Sequence, residues 1–300
     1  MTPILTFTAN LVAETTYYTD RWEIGGTSRA DKERFQVGGK GINVCKMLRR
    51  LGAESSALCF PGGAFGALCE QWLRERDIPY QAFKDECVTR SGSVIRAAGQ
   101  EESTILGLDS HVSGKAVTKA VTYLESVARP YHLALCGVFQ DWQNPNWNPL
   151  REWIEKRPSD VQLAVDTYGP SLPWFAKVSR PNLIKINRQE LETLFDEDER
   201  NLSTESLLER ASDLSECPLW IVTDGKDSIR FKEQGEATQS IQPREVESVS
   251  PTGCGDVFFA TLLNARVYRP ELELREAVEL AAEYATRNAA SPEIAEFSLD

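Results

Sequence analysis

Short runs of β-branched and aliphatic residues alternate along the chain with longer segments whose apolar residues recur every third or fourth position. Ile4–Thr8 is the first such run; Ala57–Phe60, His132–Gly137, Val161–Val165, Asn182–Ile186 and Leu219–Thr223 repeat it. They are largely apolar throughout, as strands of a parallel sheet covered on both faces must be. Between them, Ile42, Cys45, Leu48 and Leu51 recur every third residue while Lys46, Arg49 and Arg50 point elsewhere, which predicts an amphipathic helix. Helices are also expected over Phe65–Arg76, Lys115–Val127, Pro149–Lys156, from Asn187 onward, after Asp256, and over Leu274–Ala290, where Pro292 halts the pattern. The alternation predicts an α/β fold: a doubly wound, mostly parallel sheet flanked by helices, in one domain spanning 1–300. Ser228–Lys232 is expected to run antiparallel to Leu219–Thr223.

A second pattern interrupts the first. Thr15–Tyr18, Phe35–Val37, Ser93–Ala97 and Thr104–Leu108 are β-favouring but partly polar, which suits exposed strands better than central ones. They predict a small β-sheet lid from about 11–37 and 88–108. Exposed strand edges invite pairing, so a homodimer through the lid is expected.

Polar residues follow the buried runs: Asp166, Asn187, Glu190, Thr223 and Gly225. In open α/β sheets ligands bind beyond the carboxyl ends of the strands, so these residues are expected to cluster. Asp166, taken singly, reads as a cap or turn residue. Two glycine-rich stretches open helices. In Gly38-Gly39-Lys40-Gly41-Ile42-Asn43 the glycines would let a ligand approach the backbone, with Lys40 and Asn43 at the helix mouth. Ser250–Asp256 carries Gly253, Cys254 and Gly255 into a helix start, where free amides and the helix dipole suit a phosphate. Asp256 stands at that anion site and could take a proton from an attacking hydroxyl. The same stretch, alone, equally describes a capped helix after a turn.

Composition narrows the class. A net charge of −12 over 300 residues argues against a nucleic-acid partner, although a small phosphate needs only a local cluster of amides and cations. The seven cysteines form no CxxC pair, which points to reduced thiols rather than disulfides or zinc. Cys254 is the one placed for reactivity. No apolar run reaches the roughly 18 residues of a membrane span, and the N-terminus lacks a signal-peptide pattern, so a cytoplasmic setting is expected. Only two histidines, His111 and His132, are present, and GxSxG, HExxH and Walker A patterns are missing.

Together, Gly38–Asn43, Lys185-Ile186-Asn187-Arg188-Gln189-Glu190 and Pro251–Asp256 resemble the signatures of the PfkB/ribokinase family of carbohydrate kinases. Asn10–Glu14, Thr89-Arg90 and Ile184–Asn187 resemble the branch with 1-phosphofructokinase and tagatose-6-phosphate kinase. The resemblance implies a ribokinase-like fold and an ATP- and Mg²⁺-dependent kinase, with a monovalent cation as a further candidate. It implies Asp256 as catalytic base and Gly253, Cys254 and Gly255 as the anion hole. Glu14, Gly38, Gly39, Lys40, Asn43 and Arg90 fall on the acceptor side, and Lys185, Asn187, Thr223 and Gly225 on the nucleotide side. Asn187 and Glu190 would organise Mg²⁺ indirectly. The acceptor side departs from the branch: Glu14 replaces Asp, and Gly92 and Leu106 each replace Asn; separately, the motif around Gly225 ends in Ser228 instead of a second Gly. Three readings stay open here: a sugar-phosphate kinase, a kinase of a free sugar or nucleoside, and a catalytically weak sugar-phosphate sensor.

Overall fold

The first strand, β1 (Ile4–Thr8), is buried along its whole length and hydrogen-bonds on both sides, which places it inside a sheet. The computed structural model describes residues 2–84 and 86–299. A lid sheet follows directly, with β2 (Val12–Thr19) and β3 (Lys32–Gly38) antiparallel to each other. Helix α1 (Lys40–Arg50) returns the chain to β4 (Ser55–Cys59), which pairs parallel with β1. After α2 (Gly63–Glu75) comes β5 (Tyr80–Ala82), and then the other half of the lid, β6 (Arg90–Ala97) and β7 (Ser103–Leu106). β6 lies parallel to β2 and antiparallel to β7, giving the lid order β3-β2-β6-β7.

The main sheet is completed by α3 (Gly114–Ser126), β8 (Tyr131–Cys136), α4 (Asn148–Lys156), β9 (Val161–Asp166), α5 (Leu172–Lys177), β10 (Leu183–Asn187), α6 (Arg188–Glu192), α7 (Thr204–Asp213), β11 (Leu219–Asp224), β12 (Ser228–Glu233) and β13 (Gln239–Ile241). Its order is β13-β12-β11-β10-β9-β8-β1-β4-β5. The pairs from β11 to β5 are parallel; β12 and β13 are antiparallel additions. Helices α8 (Cys254–Tyr268) and α9 (Leu274–Ala289) close the fold.

Side chains alternate across each strand, so each face of the sheet feeds a different core. Leu5 and Phe7 join the layer under α3, α4 and α5, with Trp142, Trp147 and Phe175, whereas Ile4 joins the layer made by α1, α8 and α9. Helix α8 is buried nearly all round, unlike the two-faced α1, as expected for a helix wedged between the sheet and α9. The sheet, its antiparallel end and the lid follow the sequence pattern. The pattern did not mark β5, β13, α5 or α7.

Candidate active site

Helix α8 begins inside the protein. Its cap, Gly253, adopts φ +77°, and a Cβ there would lie 2.5 Å from Ile294 Cγ2, so glycine is required on both counts. The first amide to bond back along the helix is that of Val257, to the Gly253 carbonyl at 2.9 Å. The helix therefore leaves the Gly255 and Asp256 amides without intrahelical acceptors, aimed out of its first turn. Asp256 is 6% exposed, and its Oδ2 accepts a 2.7 Å hydrogen bond from Asn43 Nδ2 on α1. Burial pushes its carboxyl up to about 6 although Lys40, Asn43 and Lys185 favour the anion.

Four more charges converge from four other elements. Asp166, the last residue of β9, is fully buried; Lys40 Nζ reaches its Oδ1 at 2.6 Å and Lys185 Nζ its Oδ2 at 3.0 Å. Lys40 also bonds Glu190 Oε1 at 2.9 Å. Burial opposes ionisation of Asp166, but Lys185 and Lys40 outweigh it and hold its carboxyl below the usual range. Burial likewise works against the charge on Lys40, and Asp166 and Glu190 reverse that, raising its pKa above the ordinary lysine value. Asp166 is thus no cap or turn residue: it is the shared counter-ion of two lysines, one of them 126 residues away. A Cβ on Gly255 would sit 2.8 Å from Lys185 Nζ, so this glycine makes room for the lysine beside the helix start.

Asn187 and Glu190 form a capping box on α6. Asn187 Oδ1 accepts from the Glu190 amide at 2.8 Å and Glu190 Oε2 accepts from the Asn187 amide at 2.9 Å. Their oxygens are thereby committed within the protein, and among the described residues no group of three or more acidic, His or Cys side chains could hold a metal. Mg²⁺ is ordinarily held by one or two carboxylates, waters and substrate phosphates, so a site poor in protein ligands fits Mg²⁺ bound with a nucleotide. Thr223 pairs with Asn187 across β10 and β11, and Gly225 turns with φ +54° into open space. That turn borders a cavity of about 580 Å³ lined by Arg188, Thr204, Asp224, Asp227, Ser228 and Arg230 among others, outside the ionic cluster.

The glycines before α1 serve packing as much as ligand approach. A Cβ on Gly39 would meet Thr8 Cγ2 at 2.7 Å, and one on Gly41 would meet Thr8 Oγ1 at 2.3 Å. This close seating on β1 delivers Lys40 and Asn43 to the centre. On the lid, Glu14, Gly92 and Leu106, the departures noted in the sequence, lie side by side: Glu14 pairs with Gly92 and Gly92 with Leu106. The space of a residue-92 side chain is taken by Val12 and Leu106, 3.1 and 3.2 Å from where a Cβ would be. An apolar wall has replaced the polar contact. Glu14 is half-buried, held by Gln36, and its carboxyl is raised by burial. Gly38 adjoins it, a Cβ there lying 3.7 Å from Glu14 Oε2.

Arg90 bonds Asp109 Oδ1 at 2.6 Å, an oxygen also bonded by Asn10 Nδ2, and its buried Nε has no hydrogen-bond partner in the structure. Tyr168 lies between the two halves: Lys40 Nζ is 5.1 Å from its ring centre, and burial raises its phenol while Lys40 and Arg90 pull it down. Tyr168 and Asp109 escaped the sequence reading, since each is a loop residue whose partners are remote. Cys254, the cysteine placed for reactivity, is raised by burial, which disfavours the thiolate and outweighs the hydrogen bond that Asn288 donates to its sulfur.

The chain matches the pfkB family carbohydrate kinases over residues 9–296. It belongs to that family. This PfkB kinase is 30% identical over 235 residues to the 1-phosphofructokinase of Borreliella burgdorferi, covering 77% of this chain and 74% of the relative. It is 23% identical to the tagatose-6-phosphate kinase of Staphylococcus epidermidis, covering 89% and 86%. In fold it is similar to phosphofructokinase-2 from Escherichia coli in complex with potassium, at TM-score 0.87, 17% identity and coverage of 99% and 96%. The PfkB kinase is accordingly a phosphotransferase with an alcohol acceptor, on a ribokinase-like fold. No helix among its described residues is long and apolar enough to cross a membrane.

Proposed function

We propose that this kinase transfers the γ-phosphoryl group of ATP to a hydroxyl of a small sugar phosphate, of the fructose-1-phosphate or tagatose-6-phosphate kind. The observation that carries the reading is Asp256, a buried carboxylate bonded by Asn43 at the mouth of a helix whose Gly255 and Asp256 amides have no intrahelical acceptor. Asp256 would accept the proton of the attacking hydroxyl, and the Gly253–Asp256 turn would bind charge developing on the transferring group. Lys185, held by Asp166, would face the phosphates of the donor, and Lys40, held by the same carboxylate, would serve the acceptor side. When bound, Mg²⁺ would neutralise donor phosphate charge; Glu190 and Asn187, by their likeness to the family's element, would help organise it indirectly.

The choice of a phosphorylated acceptor is supported by Arg90, whose buried and unpartnered Nε leaves a donor free near Tyr168 and Lys40. It is supported also by the names of the relatives. A free-sugar acceptor is the second reading, favoured by the fact that Arg90 and Lys40 already have carboxylate partners. Arg90→Ala separates them: a phosphorylated acceptor predicts a large rise in acceptor KM, a free sugar little change. A panel of sugar phosphates and free sugars in a coupled ADP-release assay tests the activity itself. Asp256→Asn should lower kcat about 10²–10⁴-fold, the usual worth of a general base. A mutant that turns over as fast as the parent would remove Asp256 from this role.

We also propose a homodimer through the lid. β7 is exposed along its length, with Ile105 and the following Leu108 outward. Potassium, present with the Escherichia coli fold relative, is a candidate activator, to be tested by exchanging it for a bulky organic cation.

A further inference from the structure

Arg96 and Glu102 form an ion pair for which the kinase reading has no role. Arg96 lies near the end of β6 and Glu102 just before β7, and Arg96 Nε donates to Glu102 Oε2 at 2.7 Å. Both side chains are largely buried, 19% and 16% exposed, although they belong to the lid. They are buried by the loop that leads into α8. Arg96 Nη2 donates to Ser250 Oγ at 3.1 Å, and its Nη1 to the Pro292 carbonyl. Thr252 Oγ1 donates to Glu102 Oε1 at 2.9 Å and Ser250 Oγ to Glu102 Oε2 at 3.4 Å. Lid and loop residues joined in this way are 148 to 154 positions apart.

The same loop is held from behind by the end of α9. The amides of Val249 and Ser250 donate to the Ala289 carbonyl at 2.7 and 3.1 Å, and Asn288 Nδ2 donates to the Thr252 carbonyl at 3.0 Å. Those rear bonds do not involve the lid. The front bonds exist only while the lid rests on the loop. Arg96 and Glu102 are also linked to the acceptor side: Arg96 pairs with Tyr18 on β2, the strand that carries Glu14, and Glu14 feels the charges of both.

We propose that Arg96 and Glu102 are positioning residues, a latch by which the seated lid fixes the anion-hole loop in its working geometry. The inference rests on the kinase reading and adds a condition to it. Amides aimed at a phosphoryl group help only when they are placed before the reaction, and a shift of about 1 Å can cost about a hundredfold in rate. Ser250 and Thr252 lie at most six residues from the Gly255 and Asp256 amides, so loss of the front bonds frees the loop at the point where placement matters. Transfer then depends on whether the lid is seated on its acceptor, which disfavours loss of the phosphoryl group to water.

Thr252 is exposed and can be changed without disturbing either core. Thr252→Val should lower kcat about 10- to 100-fold while acceptor KM stays within about threefold, because placement is lost and acceptor contacts are kept. Thr252→Ser, which keeps the hydroxyl, should restore kcat. Glu102→Gln combined with Thr252→Val should fall no further than the worse single variant, since both break one connection. Hydrogen exchange in the ligand-free protein supplies a readout without turnover: peptides over 249–257 should exchange faster in Thr252→Val, and α9 peptides should not. Unchanged exchange over 249–257, a loss confined to KM, or additive losses in the double variant would each overturn the latch. A wild-type protein inactive on the whole acceptor panel would count against the sugar-phosphate assignment, and the exchange measurement would still decide the latch.

Discussion

Asp256 combines a chemical requirement with an energetic cost. Its carboxyl, raised to about 6 by burial, must be ionised to act as a base, so kcat/KM should fall as pH drops through about 6. The Asn43 hydrogen bond favours the anion, and Asn43→Ala should move that limb to higher pH, as read from a pH–rate profile. The stability sign is the reverse. A carboxyl raised above its ordinary 3.8 contributes stability in full below that value and loses it as pH rises through about 6. Asp256→Asn should therefore melt higher than the parent at neutral pH, with the gap closing toward pH 4. Gly41→Ala tests packing instead: its methyl would press on Thr8 and the Phe7 backbone, costing about 1–3 kcal/mol, partly recovered by Thr8→Ala. Residues of this kind divide sharply in how far the sequence revealed them. Asp256, Lys40, Asn43 and Glu190 announced themselves because glycine turns and helix starts surround them. Asp166 looked like an ordinary strand-end carboxylate because both lysines that define it arrive from other elements.

Among the elements, α1 carries two loads. Its first turn delivers Lys40 and Asn43, while Lys46 and Arg50 further along hold the segment after α9: Lys46 bonds the Ile294 carbonyl and Glu296, and Arg50 the carbonyls of Ala295 and Phe297. That segment places Ile294 against Gly253, so α1 supports the turn that opens α8 from two directions. Burial would raise the Glu296 carboxyl, but bonds from Lys46 and Arg34 hold it below its usual 4.5. A depressed carboxyl stabilises above its ordinary pKa and ceases to as pH falls through its folded value. Glu296→Gln should cost at most about 1 kcal/mol at neutral pH, since water screens these partly exposed pairs, and the cost should fade as acid protonates the carboxyl, as followed by thermal melting. The amphipathic period of α1 was legible in the sequence because it spans three turns. β5 and β13 were not, because three residues carry no measurable alternation and their pairing is decided by neighbours distant in the chain.

At the scale of the molecule, the lid distributes its edges unequally. On β3, Trp72 Nε1 bonds the Phe35 carbonyl and Arg34 pairs with Glu293 and Glu296. β7 on the opposite side has no such cover, and Ile105 is 63% exposed. Light scattering should show a dimer, and Ile105→Glu should shift it toward monomer by placing a charge in the seam. An unshifted mass in that variant would move the contact elsewhere. The lid strands were recognisable from their mixed polarity, but their order was not, since β2 and β6 pair in parallel across more than seventy residues.

The two short strands that end the main sheet bear on what such a dimer becomes. β5 and β13 offer three residues each, too little template for a neighbouring chain. Association by strand addition is thereby channelled to β7, and when β7 meets a second β7 across a two-fold axis, both templates are consumed in one encounter. Assembly of this geometry would terminate at two copies: the protein would have a valence of one, and crowding would raise the population of pairs without seeding fibres.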